Sequence, residues 1–126
     1  MNNKQVAVFY GDDASPEVMK PTVDLLRSMS LGVNFIEPMV GKAAKDATGT
    51  LFPEEAKAQI DKADATFFGS TSGDSTPVLF YLRWGKQTYA NVRPCLYVPG
   101  FNSPMAHPDG IDFVIIRENL EDLYLG

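Results

Sequence analysis

The chain has 126 residues, 44% hydrophobic and 21% charged, the balance of one folded soluble unit, which excludes an intrinsically disordered segment. Its formal charge of −5 and the lack of any long Lys/Arg run exclude a general nucleic-acid or anionic-membrane surface, so any anion site must be local. A single cysteine, Cys95, excludes a disulfide framework or a cysteine metal cluster within one chain.

The apolar run after Met1-Asn2-Asn3-Lys4 is too short to span a membrane and carries no small-residue cleavage signal, so the expected location is cytoplasmic. That run, Gln5 to Tyr10, is rich in valine and aromatics and is broken by Gly11-Asp12-Asp13, which predicts a buried strand and a turn. Ser15 then fits an N-cap, with Pro16 at the first helical position and Glu17 complementing the helix dipole. Val18, Thr22, Leu25, Leu26 and Met29 recur at helical spacing and predict the buried face of this helix, with Gly32 as its stop.

Val33 to Glu37 predicts a second strand, and Gly41 to Gly49 reads as a loop or a frayed short helix. Pro53-Glu54-Glu55 opens another helix with Ala56, Ile60 and Ala63 on its apolar face, and Ala65 to Phe68 is a third buried strand ended by Gly69. From Thr76 and Pro77 a helix runs to about Gly85, and two extended runs follow, Val92 to Val98 and Asp112 to Arg117, joined by a loop rich in proline and glycine. Strands alternating with helices give an α/β class: three layers, a largely parallel sheet with flanking helices. In such sheets ligands sit beyond the carboxyl ends of strands, where Gly11-Asp12-Asp13, Gly69-Ser70-Thr71-Ser72-Gly73 and Arg117 all fall.

Two stretches carry the chemistry. Leu82-Arg83 followed by Tyr89-Ala90-Asn91 and Val92-Arg93-Pro94, and then Arg117-Glu118-Asn119 leading to Leu123-Tyr124, place three arginines and a tyrosine where paired carboxylates could be gripped. A guanidinium is a planar fork that never loses its charge, which suits carboxylate oxygens. Taken singly, each arginine reads rather as a surface partner for one of the 16 Asp and Glu residues, in a salt bridge worth roughly 0 to 1 kcal/mol.

In order and spacing these stretches resemble the β-decarboxylating dehydrogenases, the isocitrate/3-isopropylmalate dehydrogenase family, which also includes homoisocitrate, tartrate and decarboxylating D-malate enzymes. Tyr10-Gly11-Asp12-Asp13-Ala14-Ser15-Pro16-Glu17-Val18 adds a further match to the family's glycine-aspartate-glycine turn, departing from it at Asp13 and Ser15, where the family usually has glycine. The resemblance runs from Val6 to Gly126 and implies an isopropylmalate dehydrogenase-like fold, here incomplete. Residues 1–88 would form the N-terminal part of the large domain and 89–126 the beginning of the smaller one, with the crossing near Thr88 and Tyr89.

By the same resemblance Arg83, Arg93 and Arg117 clamp the carboxylates of a small 2-hydroxy diacid, and Tyr124 returns a proton after carbon dioxide leaves. Thr71 and Ser72 fall where the family places hydroxyls near the nicotinamide and the substrate, although by themselves they read equally as a plain turn. NAD or NADP and a Mg or Mn ion are implied, with the metal ligands expected outside this chain and none within it. Leu79, with Pro77, occupies the helix positions that distinguish substrates, and apolar atoms there disfavour isocitrate's extra carboxylate. Ser75 and Thr76 are close enough to supply a polar contact, and packing is the other reading of Leu79 and Phe80.

Asp12 and Asp13 read as solvated turn acids, His107 as an exposed turn residue, and Cys95 as a small apolar strand residue. The expected whole is a homo-oligomeric oxidoreductase, of which this chain by itself is inactive and prone to self-association. The other class of reading is a truncated, catalytically inactive α/β binding or assembly module. No nucleic-acid or membrane partner is expected.

Overall fold

The computed structural model describes residues 4–121 of the 126, and the chain divides into two compact units, Met1–Phe80 and Tyr81–Gly126. In the first unit β1 (Lys4–Phe9), β2 (Val33–Ile36) and β3 (Ala65–Phe68) form a parallel sheet in the order β2-β1-β3. Helices α1 (Ser15–Ser28), α2 (Gly41–Thr48) and α3 (Glu54–Lys62) connect the strands, and α4 (Thr76–Phe80) follows β3. The α/β class and parallel sheet expected from the alternating pattern are present.

β1 lies in the middle, and Ala7, Val8 and Phe9 are fully buried, as a strand covered on both faces requires. On one face Val6, Val8 and Tyr10 line up with Phe35 and Phe67 against Met19 and Val23 of α1. α3 also packs against β1, and its Ala56 and Ile60 are buried. The segment read as a loop or frayed helix is α2, closed by Gly49 at φ +81°, a left-handed C-cap that glycine adopts without a Cβ penalty.

α1 departs from the sequence reading in two ways. Ser15 is not the N-cap: Ala14 holds that position, and the Ser15 hydroxyl instead accepts a hydrogen bond from the backbone N–H of Ser70 at 3.0 Å. The buried face carries Ser15, Met19 and Val23, with Leu26 half-buried, while Val18, Leu25 and Met29 are 64%, 62% and 55% exposed. Both stripes are apolar at helical spacing, so periodicity alone does not choose between them. The tie from Ser15 to the loop after β3 fixes the helix's rotation and so decides which stripe meets the sheet.

The second unit opens with a π-helical turn, Tyr81–Gly85, and continues into β4 (Ala90–Leu96) and β5 (Asp112–Glu118), which pair with each other as an antiparallel ladder. One face of that ladder carries Asn91, Arg93 and Cys95 beside Arg117, Ile115 and Phe113. The other carries Val92, Pro94 and Leu96 beside Ile116 and Val114, and Val92, Leu96, Val114 and Ile116 are each more than half exposed. Among the described residues no helix is long and apolar enough to cross a membrane.

Candidate functional site

In the first unit, β1 leads by α1 to β2 on one side, and β2 leads by α2 and α3 back across to β3 on the other. The carboxyl ends of β1 and β3 therefore flank the point where the winding reverses, the usual place for a ligand in such a sheet. The loops leaving these two strands meet there. Gly69 N–H donates to the Phe9 carbonyl at 2.8 Å and Asp12 N–H to the Ser70 carbonyl at 2.9 Å.

Two glycines make this approach possible. A methyl group at Gly69 would overlap Ser15 Oγ and the Tyr10 carbonyl oxygen, and one at Gly11, which has φ +79°, would overlap the Ser70 carbonyl oxygen. The neighbouring departures from the family turn have a physical account as well. Asp13 adopts φ +53°, a left-handed conformation that aspartate tolerates better than most residues, and Ser15 uses its hydroxyl on the facing loop.

Asp12, expected as a solvated turn acid, is instead the hub of the two loops. Its Oδ2 accepts hydrogen bonds from the hydroxyls of Thr71 and Ser75, both 2.7 Å, and from the backbone N–H groups of Ser72 at 3.2 Å, Gly73 at 3.0 Å and Ser75 at 3.3 Å. Ser72 Oγ donates to Asp13 Oδ2, and Ser75 Oγ also reaches Thr71 Oγ1 at 2.7 Å. Burial pushes the Asp12 carboxyl up, but hydrogen bonds from the side chains of Ser75 and Thr71 and from the backbones of Ser75 and Gly73 outweigh it and hold the group at about 2. Thr71 and Ser72 thus come together at this reversal point, and Ser75, which is buried, joins them.

Beside the hub lies a cleft of about 440 Å³, lined by Tyr10, Gly11, Asp12, Glu37, Lys42 and Ser75 among others. Its Glu37 accepts from Arg27 at 2.6 Å and from the Tyr10 hydroxyl at 2.8 Å. The Arg27 bond, then the Tyr10 bond, lowers the Glu37 carboxyl, whereas burial is the main cause that raises the Tyr10 phenol.

A carboxylate held below its ordinary value stabilises the fold above that value and ceases to do so as pH falls through the lowered one. Asp12 therefore makes stability fall as pH drops from about 4 toward about 2. Denaturant midpoints measured across this range are expected to decline, and less steeply for Asp12→Asn than for the wild-type chain. An equal slope in both would show that Asp12 is not a source of the loss.

The second unit places the arginines. Arg83 sits, half-buried, in the π-helical turn, where Lys86 N–H reaches the Tyr81 carbonyl at 2.8 Å and Thr88 N–H the Arg83 carbonyl at 3.0 Å. Widened turns of this kind often occur at functional sites. Arg117 lies directly across from Asn91, and Arg93 lies across from Ile115, so both arginines project from one face as diagonal neighbours. Arg93 Nε donates to Asn91 Oδ1 at 3.1 Å, which holds its head on that face.

The residues after Arg117 shape its surroundings. Glu118 accepts from the N–H groups of Leu120 and Glu121 at 2.7 and 2.8 Å, and Asn119 binds the carbonyls of Tyr89 at 2.9 Å and Thr88 at 3.3 Å. The arginine-glutamate-asparagine triplet thus presents a cation, closes a turn and ties down the segment entering β4. Tyr124 lies outside the described residues. In α4 Val78 is the fully buried residue, while Leu79 is half-buried and Phe80 46% exposed.

The model of a known family, isocitrate/isopropylmalate dehydrogenase, matches residues 5–126. The chain is 39% identical over 126 residues to 3-isopropylmalate dehydrogenase of Methanothermobacter thermautotrophicus, covering all of itself and 37% of that protein. It is 33% identical over 125 residues to the enzyme of that name from Sulfurisphaera tokodaii, covering 96% of itself and 36% of the relative. Solved structures with the same fold include isocitrate dehydrogenase from Methylococcus capsulatus, at TM-score 0.78, 27% identity and coverage of 96% and 36%. The β-decarboxylating dehydrogenase from Thermococcus kodakarensis aligns at TM-score 0.71, 28% identity and coverage of 94% and 34%. The chain spans little more than a third of the length of these relatives, and over that span it belongs to the isocitrate/isopropylmalate dehydrogenase family.

Proposed function

We propose that this chain forms the N-terminal portion of an NAD(P)- and metal-dependent oxidoreductase that oxidises and decarboxylates a 2-hydroxy diacid in the cytoplasm. The observation that carries the reading is the shared face of Arg93 and Arg117, held beside Asn91 on the β4–β5 ladder. Two guanidinium groups on one face are a local positive surface on a chain of net charge −5, and two carboxylates on a small acid would complement it. Arg83 completes the clamp, and Tyr124 is the general acid that reprotonates the carbon left by carbon dioxide. In this reading residues 1–88 belong to the large domain and 89–126 open the smaller one.

A nicotinamide cofactor would supply the hydride acceptor for oxidation of the 2-hydroxy group. Thr71 and Ser72 are read as lying beside it: the Ser72 oxygen keeps lone pairs after its hydrogen is committed to Asp13, while the Thr71 oxygen, bound to Asp12, is also met by the hydroxyls of Ser75 at 2.7 Å and Thr76 at 3.4 Å. For a divalent ion the residues present do not suffice: the described ones contain no group of three or more His, Cys, Asp or Glu able to hold a metal. Its ligands belong to the further sequence that relatives of family length contain. In this reading the 126 residues alone are expected to be inactive, which reduced-cofactor absorbance with the chain, a divalent metal and a diacid would check. The exposed apolar face of the ladder favours association, consistent with a homo-oligomeric enzyme.

For substrate, the half-buried Leu79 offers apolar atoms, and the hydroxyl of Ser75 is already engaged with Asp12 and Thr71. Isocitrate's third carboxylate would lack a partner there. The test is turnover of a family-length enzyme carrying this sequence on isopropylmalate, malate, tartrate and isocitrate, followed by reduced-cofactor absorbance. The first three are expected to exceed isocitrate by roughly tenfold or more in kcat/KM, the cost of one unpaired polar group in a buried site. A preference for isocitrate would overturn the assignment of Leu79, and no oxidation of any diacid would leave the inactive binding or assembly module as the reading.

A further inference from the structure

We propose that Thr88 is a positioning residue for Arg83: it aims this arginine at the diacid gripped by Arg93 and Arg117, so that removing its hydroxyl detaches one arm of the clamp and leaves the other two. The proposal rests on the reading of the three arginines as a diacid clamp. Arg93 and Arg117 are placed by strand register, whereas Arg83 sits in a turn and needs another device to point it.

The turn itself leaves a carbonyl over. In a π-helical turn each carbonyl accepts from the N–H five residues on. The Tyr81 carbonyl does so from Lys86 at 2.8 Å, and the Arg83 carbonyl from Thr88 at 3.0 Å. The Leu82 carbonyl between them is passed over, because Gln87, which would serve it, turns to φ +50° and directs its N–H to the Trp84 carbonyl at 3.4 Å. The Thr88 hydroxyl takes that place, donating to the Leu82 carbonyl at 2.9 Å.

The two carbonyls that Thr88 holds belong to the peptide units on either side of the Arg83 Cα. Peptide units are planar, so fixing both fixes φ and ψ of Arg83 and with them the direction of its Cα–Cβ bond. The β-branched side chain of Thr88 has few rotamers in which to lose the contact. Thr88 is exposed, so its hydroxyl bond has the modest net worth of one made in competition with water. Thr88 is in turn tied to the ladder: its own carbonyl accepts from Asn119 Nδ2 at 3.3 Å, and the neighbouring Tyr89 carbonyl from Asn119 N–H at 2.9 Å. Asn119 follows Glu118, the last residue of β5, which pairs with Ala90 at the start of β4. The aim of Arg83 is thus set against the same register that places the other two arginines.

The test compares the 126-residue wild-type chain with Thr88→Val, which keeps the branched shape without the hydroxyl, and Thr88→Ser, which keeps the hydroxyl without the methyl group. Each is labelled with ¹⁵N and titrated with malate while the Nε–H signals of Arg83, Arg93 and Arg117 are followed. In the wild-type chain the three signals are expected to share one binding curve. In Thr88→Val the affinity is expected to fall roughly fivefold, the effect of one hydrogen bond, with the Arg83 signal dropping out of the response while Arg93 and Arg117 still move together. Thr88→Ser is expected to restore both the affinity and the Arg83 response. A residue that only ended the turn would not single out one arginine.

An Arg83 response unchanged in Thr88→Val, an equal loss on all three signals, or a loss that Thr88→Ser does not restore would overturn the positioning role while sparing the clamp. An Arg83 signal that stands apart from the other two in the wild-type chain would do the same. No response of Arg93 and Arg117 to malate in the wild-type chain would overturn the clamp reading and this proposal with it. Hydrogen exchange of the Thr88 backbone amide in the wild-type chain gives a reading that holds even if a variant fails to fold. Slow exchange is expected, and exchange at the rate of an open chain would show that the Arg83 carbonyl is not held and would overturn the proposal.

Discussion

In a family-length enzyme carrying this sequence, Arg93→Lys is expected to lower kcat/KM for the diacid about a hundredfold, the loss of a charge-assisted two-point contact worth roughly 2 to 3 kcal/mol. The total charge is unchanged, so the effect isolates geometry. Lysine offers a point charge on a flexible stem and has no Nε to hold against Asn91 Oδ1, the bond that now keeps the guanidinium on the Arg117 side of the ladder. Steady-state kinetics on the diacid and on a 2-hydroxy monoacid of similar size would measure it. The loss should be concentrated on the diacid, and an equal loss on both would point to a folding defect instead.

The second large effect is on the fold. Gly69→Ala is expected to destabilise the first unit by about 3 kcal/mol or more, since overpacking against fixed backbone cannot be relieved by a rotamer change. Its methyl group would meet Ser15 Oγ and the Tyr10 carbonyl oxygen where β1 and β3 deliver their loops to one point. A domain with a net stability of roughly 5 to 15 kcal/mol would lose a large fraction of it. Chemical denaturation read by far-ultraviolet circular dichroism is the check, and a midpoint within error of wild type would mean that the two loops have room to part. Gly100→Ala, at a glycine with nothing within reach of a methyl group, serves to gauge the cost of a left-handed backbone alone.

How much of this was legible in the sequence depends on how local the cause is. β1 could be read because a central parallel strand needs a continuous apolar run, and Val6 to Phe9 supplies one. α3 could be read because Ala56 and Ile60 stand alone as its apolar stripe. α1 could be recognised as a helix but not oriented: Val18, Leu25 and Met29 repeat as regularly as Met19, Val23 and Leu26, and the choice was made by Ser15 reaching a loop 55 residues away. Gly69, Ser70 and Tyr10 are part of the reason α1 lies as it does.

The Asp12 hub shows the same limit more sharply. Its donors are 59 to 63 residues distant, and three of them are backbone N–H groups, which carry no residue-type signal. The available hint was compositional, a Gly-Asp turn after one buried strand and a loop rich in serine and threonine after another. The arginines stood out because their spacing belongs to a long ordered motif. That Arg93 and Arg117 share a face was set by the β4–β5 register, which motif spacing does not specify.

The claim at the centre is that Arg93 and Arg117 act as one grip on two carboxylates, and the side-chain Nε–H signals of these two arginines report on it directly. Titrating the chain with a 2-hydroxy diacid should move both signals along a single binding curve, with a 2-hydroxy monoacid giving a distinctly weaker one. Two signals following different curves, or diacid and monoacid binding alike, would contradict the shared clamp.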